Sequence, residues 1–194
     1  MGNFMVKTKL EIFTSKYSVE IKNSMLESFK DIDYVEDGLN DKSIFIVLST
    51  NNEIISTARL IESIDGQFAR DSANNPGFIY SEKCWDLGRV HVINKYRGNI
   101  YFDYIMFKSF QFSRANKIDY LNGGSAIGRK MQERLEKFGF EKTVDPFEVN
   151  YEQKRFLGQP YVIDLIKSEN IWKKQLDICE IQLNNEYDII DTLI

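Results

Sequence analysis

The segment from Lys7 to Phe13 alternates in character, with Leu10 and Ile12 set against Lys9 and Glu11, and predicts a strand. From Ser18 to Phe29 the period changes: Val19, Ile21, Met25, Leu26 and Phe29 recur at helical spacing. Ser43 to Ser49 is a short apolar run with polar residues at its ends, suited to a central strand covered on both faces. Asn51-Asn52 signals a turn, and Glu53 to Ile61 resumes strand character, so the pair predicts a hairpin.

Ile64 to Lys83 is polar, contains Gly66 and Asn74-Asn75-Pro76-Gly77, and has no sustained period. A loop of about 20 residues is uncommon in a compact domain and suits a lid or a substrate-facing insertion. Trp85 to Ile93 reads as the next strand, and Asn99 to Ala115 as a helix too apolar to be exposed on most sides. Ile118 to Leu121 is a short strand that ends at Asn122-Gly123-Gly124. Ile127 to Phe138 forms a second amphipathic helix, stopped by Gly139 at the C-cap. Phe140 to Val144 and Tyr161 to Ile166 close the strand set, and Ser168 to Asn184 predicts a last helix with Ser168 as N-cap and Glu169 just inside it.

Composition narrows the classes. Hydrophobic residues make up 43% and charged residues 28%, the profile of a folded globular chain. With 25 basic and 29 acidic side chains the net charge is −4 and the pI about 5.2, which argues against broad nucleic-acid binding. No apolar run approaches the roughly 20 residues that span a bilayer, and Met1 to Leu10 lacks a signal-peptide core, so a cytoplasmic protein is expected. Cys84 and Cys179 are far apart with no CxxC partner; they read as reduced structural residues, and no metal site is expected.

The candidate chemistry concentrates between Trp85 and Gly98, where an alternating strand runs through Lys95-Tyr96-Arg97-Gly98 into a helix. Unpaired N–H groups and the positive end of the dipole make such a helix start an anion site. The stretch resembles the acyl-donor-binding strand and loop of the GCN5-related N-acetyltransferase (GNAT) superfamily: Asp86, Leu87, Arg89, Val90, Val92, Tyr96, Arg97 and Gly98 fall on the pattern Glu-Leu-x-Arg-Leu-x-Val followed by Tyr-Arg-Gly. Ser56-Thr57-Ala58-Arg59-Leu60 looks like the family's Gly-x-Ala-Arg-Leu strand, and Leu135-Glu136-Lys137-Phe138-Gly139-Phe140 like its Tyr-Glu-Lys-x-Gly-Phe helix end. The likeness covers about residues 40 to 166, and the predicted element order matches apart from a helix short or missing near Asp31 to Asn40.

Where the family's loop continues with small residues that let the backbone approach a pyrophosphate, this chain has Asn99-Ile100-Tyr101-Phe102. With Thr57-Ala58-Arg59-Leu60 and Asp86-Leu87-Gly88-Arg89, it looks more like the branch that holds the autoinducer synthases and the N-acyl amino acid synthases. The arginine and tryptophan that autoinducer synthases place before this point around S-adenosylmethionine are missing, since Trp85 and Trp172 are the only tryptophans.

Acyl transfer from a thioester to an amine needs a deprotonated amine, a polarised carbonyl and a route for the leaving thiolate. The resemblance implies a backbone N–H at or next to His91 and Val92 for the carbonyl. It makes Asp86 the base or amine anchor, against a solvated or ion-paired strand residue. Arg89 and Arg59 would hold an anion or a substrate carboxylate, against structural salt bridges. Lys95, Arg97, Gly98 and Asn99 would meet the donor's phosphates. His91, the only histidine, reads as structural rather than as a general base. Leu135 replaces the tyrosine that many acetyltransferases use as an acid, so that group would be Tyr101 or Tyr104, with Tyr104 the catalytic candidate, or be dispensed with. Phe102, Phe107, Phe110 and Phe112 read as core, with an acyl tunnel as the alternative.

The expectation is an α/β GNAT fold with a mixed central sheet of about six to seven strands flanked by helices, over residues 1–166, with 167–194 as a helical extension of the same domain. That tail would cap the domain or mediate a homodimer, the latter if Ile171, Leu176 and Ile178 form an exposed face. The expected activity is N-acyl transfer, of a medium or long chain, from acyl-CoA or an acyl-carrier-protein thioester to a small amine or amino acid. The alternatives are an acetyl-CoA-dependent N-acetyltransferase and a catalytically silent binding protein with a filled donor groove.

Overall fold

The computed structural model describes residues 7–29, 39–62, 81–151 and 154–193. The predicted long loop falls almost wholly outside these residues, as does most of the stretch near Asp31 to Asn40, of which a 3-10 turn at Asn40–Lys42 is described. The chain divides into two compact units: Met1–Arg59, Arg89–Phe112 and Lys173–Ile194 form one, and Leu60–Gly88 with Ser113–Trp172 form the other.

In the first unit, β1 (Thr8–Ser15) pairs antiparallel with β2 (Ile44–Thr50), from Leu10↔Thr50 to Ser15↔Phe45. Six successive β2 residues from Phe45 to Thr50 are buried, as expected of a strand covered on both faces. Asn51 and Asn52, at φ 49° and 62°, make the left-handed turn that joins β2 to β3 (Glu53–Glu62). Helix α1 (Val19–Ser28) starts at Ser18, whose hydroxyl accepts from the Ile21 N–H at 3.3 Å. Its buried face, Ile21, Ser24, Met25 and Ser28, follows the i, i+3, i+4, i+7 pattern, and Ile21 and Met25 pack with Phe45 and Val47.

In the second unit, β4 (Cys84–Val92) pairs parallel with β5 (Tyr120–Ala126) over Cys84↔Tyr120, Trp85↔Leu121 and Asp86↔Asn122. β5 pairs antiparallel with β8 (Lys154–Asp164) along its whole length, so Asn122-Gly123-Gly124 lies inside the strand rather than ending it. β6 (Glu141–Lys142) and β7 (Phe147–Tyr151) also run antiparallel to β8. Between β5 and β6 in sequence, α3 (Met131–Lys137) ends before Gly139, which takes φ +92° and supplies the left-handed C-terminal turn that its lack of a Cβ allows. Leu121, Leu135, Phe138, Phe140, Tyr161, Ile163 and Trp172 form the core of this unit.

β3 and β4 each pass from one unit to the other, as do the two long helices, α2 (Tyr101–Ala115) and α4 (Glu169–Glu186). Nine strands and four α-helices occur among the described residues, with parallel and antiparallel ladders, so the α/β mixed sheet is as expected but has more strands than six to seven. The extra strands are β7 and β9 (Tyr187–Asp191). β9 follows α4 directly and pairs parallel with β1 from Thr8↔Tyr187 to Ile12↔Asp191, so the tail is not purely helical. The predicted helix from Ile127 contracts to the seven residues of α3, and Ser168 turns its hydroxyl back to the Asp164 carbonyl at 2.5 Å instead of capping α4 forward. On α4, Leu176 is buried while Ile171, Ile178 and Ile181 are exposed.

Candidate functional site

β4 carries the strand motif, and its backbone departs from regular geometry at one residue. Arg89 sits at φ +52°, a left-handed conformation that is uncommon without glycine. Such a residue inside a strand breaks its extended geometry and re-aims the backbone groups beside it. Beyond it, the His91 carbonyl accepts from the Ser56 hydroxyl at 2.6 Å, and the Ile93 N–H donates to the Ile55 carbonyl at 2.9 Å, which fastens the end of β4 to β3.

The His91 ring is buried and held on both nitrogens. Nε2 lies 3.2 Å from the Ser24 hydroxyl on α1, and Nδ1 lies 3.1 Å from the Thr57 hydroxyl on β3 and 3.3 Å from the Arg89 carbonyl. Phe29 meets the ring edge-on at 5.4 Å. Burial pulls the imidazole down to about 4, the Arg89 carbonyl working against this and the Arg97 charge adding to it. The ring is therefore neutral at physiological pH, as befits a structural histidine.

After β4, a 3-10 turn at Asn94–Tyr96 leads through Arg97 and Gly98 to α2. Arg97 donates from Nε to the Val92 carbonyl at 3.2 Å and from a terminal nitrogen to the Ser28 carbonyl at 2.6 Å. Its fork thereby joins the end of β4 to the last turn of α1, whose carbonyl end favours a cation. Lys95 pairs with Glu53, which also accepts from the Tyr96 hydroxyl at 3.4 Å. Gly98 takes φ +88°, and a Cβ there would meet nothing within 4 Å, so the loop has open space above it. Asn99 is exposed, Ile100 half-buried, and Phe102 packs into the core with Phe107 and Phe110, while Phe112 is half-buried.

The remaining candidates are dispersed. Asp86 is half-buried opposite Asn122 in the β4–β5 ladder and belongs to the second unit, whereas Arg89, His91, Val92, Lys95, Arg97, Gly98 and Asn99 belong to the first. Arg59 is buried and donates to Asn40 Oδ1 at 2.9 Å. Tyr104 is fully buried and its hydroxyl has no hydrogen-bond partner among the described residues. Burial, with Glu180 and Asp191 adding, drives that hydroxyl far above the ordinary tyrosine range, so it holds its proton tightly. Tyr101 is raised in the same direction, by burial and by its bond to Tyr187 at 2.7 Å.

Tyr104 belongs to a cluster that the sequence reading missed. Lys108 Nζ lies 5.5 Å from the Tyr104 ring centre, 2.7 Å from Glu180 Oε1, 2.5 Å from Asp191 Oδ2 and 3.0 Å from Gln111 Oε1. A lone cation in Ile105-Met106-Phe107-Lys108-Ser109-Phe110 is the signal that it must find carboxylates from other elements. Ser24, Ser56 and Thr57 were also missed as partners of His91, since hydroxyls on an α1 face and a buried strand carry no signal by themselves. Both cysteines are free and buried, and desolvation pushes each thiol up to about 12. Among the described residues no group of three His, Cys, Asp or Glu side chains could hold a metal ion, and no helix is long and apolar enough to cross a membrane.

No protein-family profile matches the chain, and no curated protein matches it by sequence. Solved structures do. A CoA-dependent acyl-homoserine lactone synthase, BjaI, determined with SAM and isopentyl-CoA, superposes with a TM-score of 0.62 at 11% identity, over 95% of this chain and 93% of that one. FeeM, an N-acyl amino acid synthase from uncultured soil microbes, gives a TM-score of 0.61 at 12% identity, over 90% and 98% of the two chains. A structure named as that of a putative N-acetyltransferase from Lactobacillus plantarum gives 0.58 at 13% identity, over 81% and 99%. The fold of this chain is that shared by GNAT acetyltransferases, acyl-homoserine lactone synthases and an N-acyl amino acid synthase.

Proposed function

We propose that the chain is an N-acyltransferase that moves an acyl group from a thioester donor, acyl-CoA or acyl carrier protein, to a small amine or amino acid. The observation that carries this reading is the β4 strand, left-handed at Arg89 and running through the Arg97-Gly98 turn into α2, in a fold shared with enzymes of that chemistry.

In this reading the β4 backbone beside His91 and Val92 polarises the thioester carbonyl, so that negative charge developing on its oxygen meets a preorganised N–H. The amine nitrogen bonds to the acyl carbon, the carbon–sulfur bond breaks, and the thiolate leaves. Asp86 draws a cationic amine and accepts its proton, directly or through water. The turn from Lys95 to Asn99 and the first N–H groups of α2 meet the donor's phosphates, with the carbonyl-anchored Arg97 fork offering its remaining edge. Arg89 and Arg59 are proposed to hold a carboxylate of the acceptor; Tyr104, fully buried with a hydroxyl that holds its proton tightly, does not suit the acid's part, and the thiolate leaves without a side-chain acid. A cytoplasmic setting fits two free, buried thiols.

The medium or long acyl chain is proposed from the non-glycine loop Asn99-Ile100-Tyr101-Phe102, and a donor other than acetyl-CoA is supported by the neighbour determined with isopentyl-CoA. A plain acetyl-CoA reading is favoured by the acetyltransferase neighbours. A thermal-shift series with acetyl-, octanoyl- and palmitoyl-CoA, the same chains on carrier protein, and free CoA separates the readings, because a ligand that prefers the native state raises the midpoint. Stabilisation that grows with chain length supports the long-chain reading, response to acetyl-CoA alone supports acetylation, and no response to any donor overturns both.

A further inference from the structure

The strained residue of β4 and the buried histidine two positions on are in contact. Arg89 holds φ +52°, and its carbonyl oxygen lies 3.3 Å from His91 Nδ1. A peptide carbonyl only accepts, so a bond between these atoms requires the imidazole proton on Nδ1. The Thr57 hydroxyl oxygen, 3.1 Å from the same nitrogen, shares that proton, and Nε2 is left to accept from the Ser24 hydroxyl at 3.2 Å. The Ser24 hydroxyl also lies 2.8 Å from the Ile21 carbonyl and has one proton to give. The opposite tautomer would let Nε2–H donate to Ser24, Ser24 to Ile21 and Thr57 to Nδ1, but it would leave the Arg89 oxygen 3.3 Å from an unprotonated nitrogen, with nothing between them to bond.

The direction of the Arg89 carbonyl matters because a trans peptide is planar: its C=O and the N–H of the next residue point in opposite directions. Whatever fixes the Arg89 oxygen therefore fixes the Val90 N–H. A left-handed non-glycine residue persists only where its surroundings over-determine it, and here the ring supplies that constraint from α1, β3 and β4 at once.

We propose that His91 is a positioning residue: its ring, braced by Ser24 and Thr57, grips the Arg89 carbonyl and thereby aims the Val90 N–H as the backbone donor for the thioester carbonyl. This rests on the acyltransferase reading. The imidazole moves no proton in the reaction and touches no substrate.

Because His91 is the only histidine, ring nitrogen-15 NMR of histidine-labelled full-length protein reports on it alone. The expected result is a neutral ring with the proton on Nδ1; a proton on Nε2 overturns the assignment. Kinetics give the second test. An asparagine places an amide donor where Nδ1 stands, and a glutamine reaches instead to the position of Nε2. His91→Asn should lose at most a few-fold in kcat, whereas His91→Gln should lose about tenfold to a hundredfold at unchanged KM, since a misaimed oxyanion donor weakens only the transition state. Equal kcat in both variants, or a loss carried in KM, overturns the assignment in an enzyme that is otherwise active. A wild type that transfers no acyl group from any of the CoA or carrier-protein thioesters overturns the acyltransferase reading, and this assignment with it.

Discussion

Lys108 Nζ lies 2.5 Å from Asp191 Oδ2, so a cation in the apolar middle of α2 is joined to the last residue of β9. The same nitrogen lies 2.7 Å from Glu180 on α4. One buried ammonium thus ties together a helix, a second helix and the strand that follows it. Lys108 is itself 2% exposed, while its carboxylate partners keep partial contact with water, which moderates the interaction. Lys108→Met should lower the unfolding free energy by about 2 to 3 kcal/mol, in line with losing hydrogen bonds to charged groups. Urea denaturation measures it. Asp191→Asn should cost less, because Glu180 still faces the ammonium; a larger loss in Asp191→Asn than in Lys108→Met would contradict this arrangement.

His91 makes stability depend on pH in a defined window. The unfolded imidazole takes up a proton near pH 6.5, and the buried ring only near 4. Because the folded value is the lower one, acid favours the unfolded chain: the contribution of the neutral ring is complete above about pH 6.5 and is lost as the pH falls toward 4. The interval corresponds to about 3 kcal/mol. Carboxylates titrate over part of the same range, so the diagnostic quantity is the wild-type slope between pH 6.5 and 4 minus that of His91→Asn. That difference should be positive in the sense of extra wild-type loss, and a zero difference would remove the buried neutral ring.

The two thiols should be inert in the folded protein. Cys84 and Cys179 are buried, with values pushed up to about 12, so almost no thiolate exists at pH 8. Reaction with an aromatic disulfide reagent should be at least about a hundredfold slower in native buffer than in denaturant, where both should react. Prompt reaction of either thiol in native buffer would place it outside the core.

Legibility in the sequence followed the range of the interactions. The α1 helix was readable because its period is local, and Ser18 caps it, but of the predicted apolar positions Val19 and Leu26 are exposed while Ser24 and Ser28 take buried places beside Ile21 and Met25. The β2–β3 hairpin was readable because two asparagines tolerate positive φ. β9 was not: Tyr187 to Asp191 carries a mixed pattern, and what makes it a strand is its pairing with residues about 180 positions earlier in β1. β7 escaped for the same reason, since it exists by pairing with β8. At the site, the strand and turn were visible as a motif, but the Arg89 conformation was not, because nothing in Leu87-Gly88-Arg89-Val90 places the left-handed turn on the arginine rather than on the glycine before it. The loop arginine was read as a phosphate ligand, and its anchoring to the Val92 and Ser28 carbonyls depends on where α1 ends.

The end of α3 offers a backbone test independent of function. Gly139 takes φ +92°, and a Cβ there would lie 3.7 Å from Ile163 and 3.8 Å from Ser168, ordinary contact distances. The cost of Gly139→Ala is therefore conformational rather than steric, about 1 kcal/mol. A thermal or urea midpoint unchanged by the substitution would mean that the turn is not left-handed in solution.

Arg97 is where the proposed activity and the fold meet. Its Nε and one terminal nitrogen are spent on the Val92 and Ser28 carbonyls, which orients the guanidinium at the end of β4, beside the turn that leads into α2. A lysine keeps the charge but has a single ammonium and cannot reproduce the two-armed anchor. If charge alone draws the donor's phosphates, Arg97→Lys should leave the donor KM near the wild-type value while Arg97→Gln raises it about tenfold, the scale of one charge-assisted hydrogen bond. If the anchored fork is what presents the remaining N–H groups, both variants should raise KM by that amount, with kcat little changed and a stability loss of about 1 to 2 kcal/mol for the two carbonyl bonds. The two carbonyl contacts favour the second outcome, because a fork held at two points has one orientation left to offer. Initial-rate kinetics with varied acyl-CoA, paired with urea denaturation of the same variants, decide between them, and a donor KM unchanged in both variants would take Arg97 out of the donor site altogether.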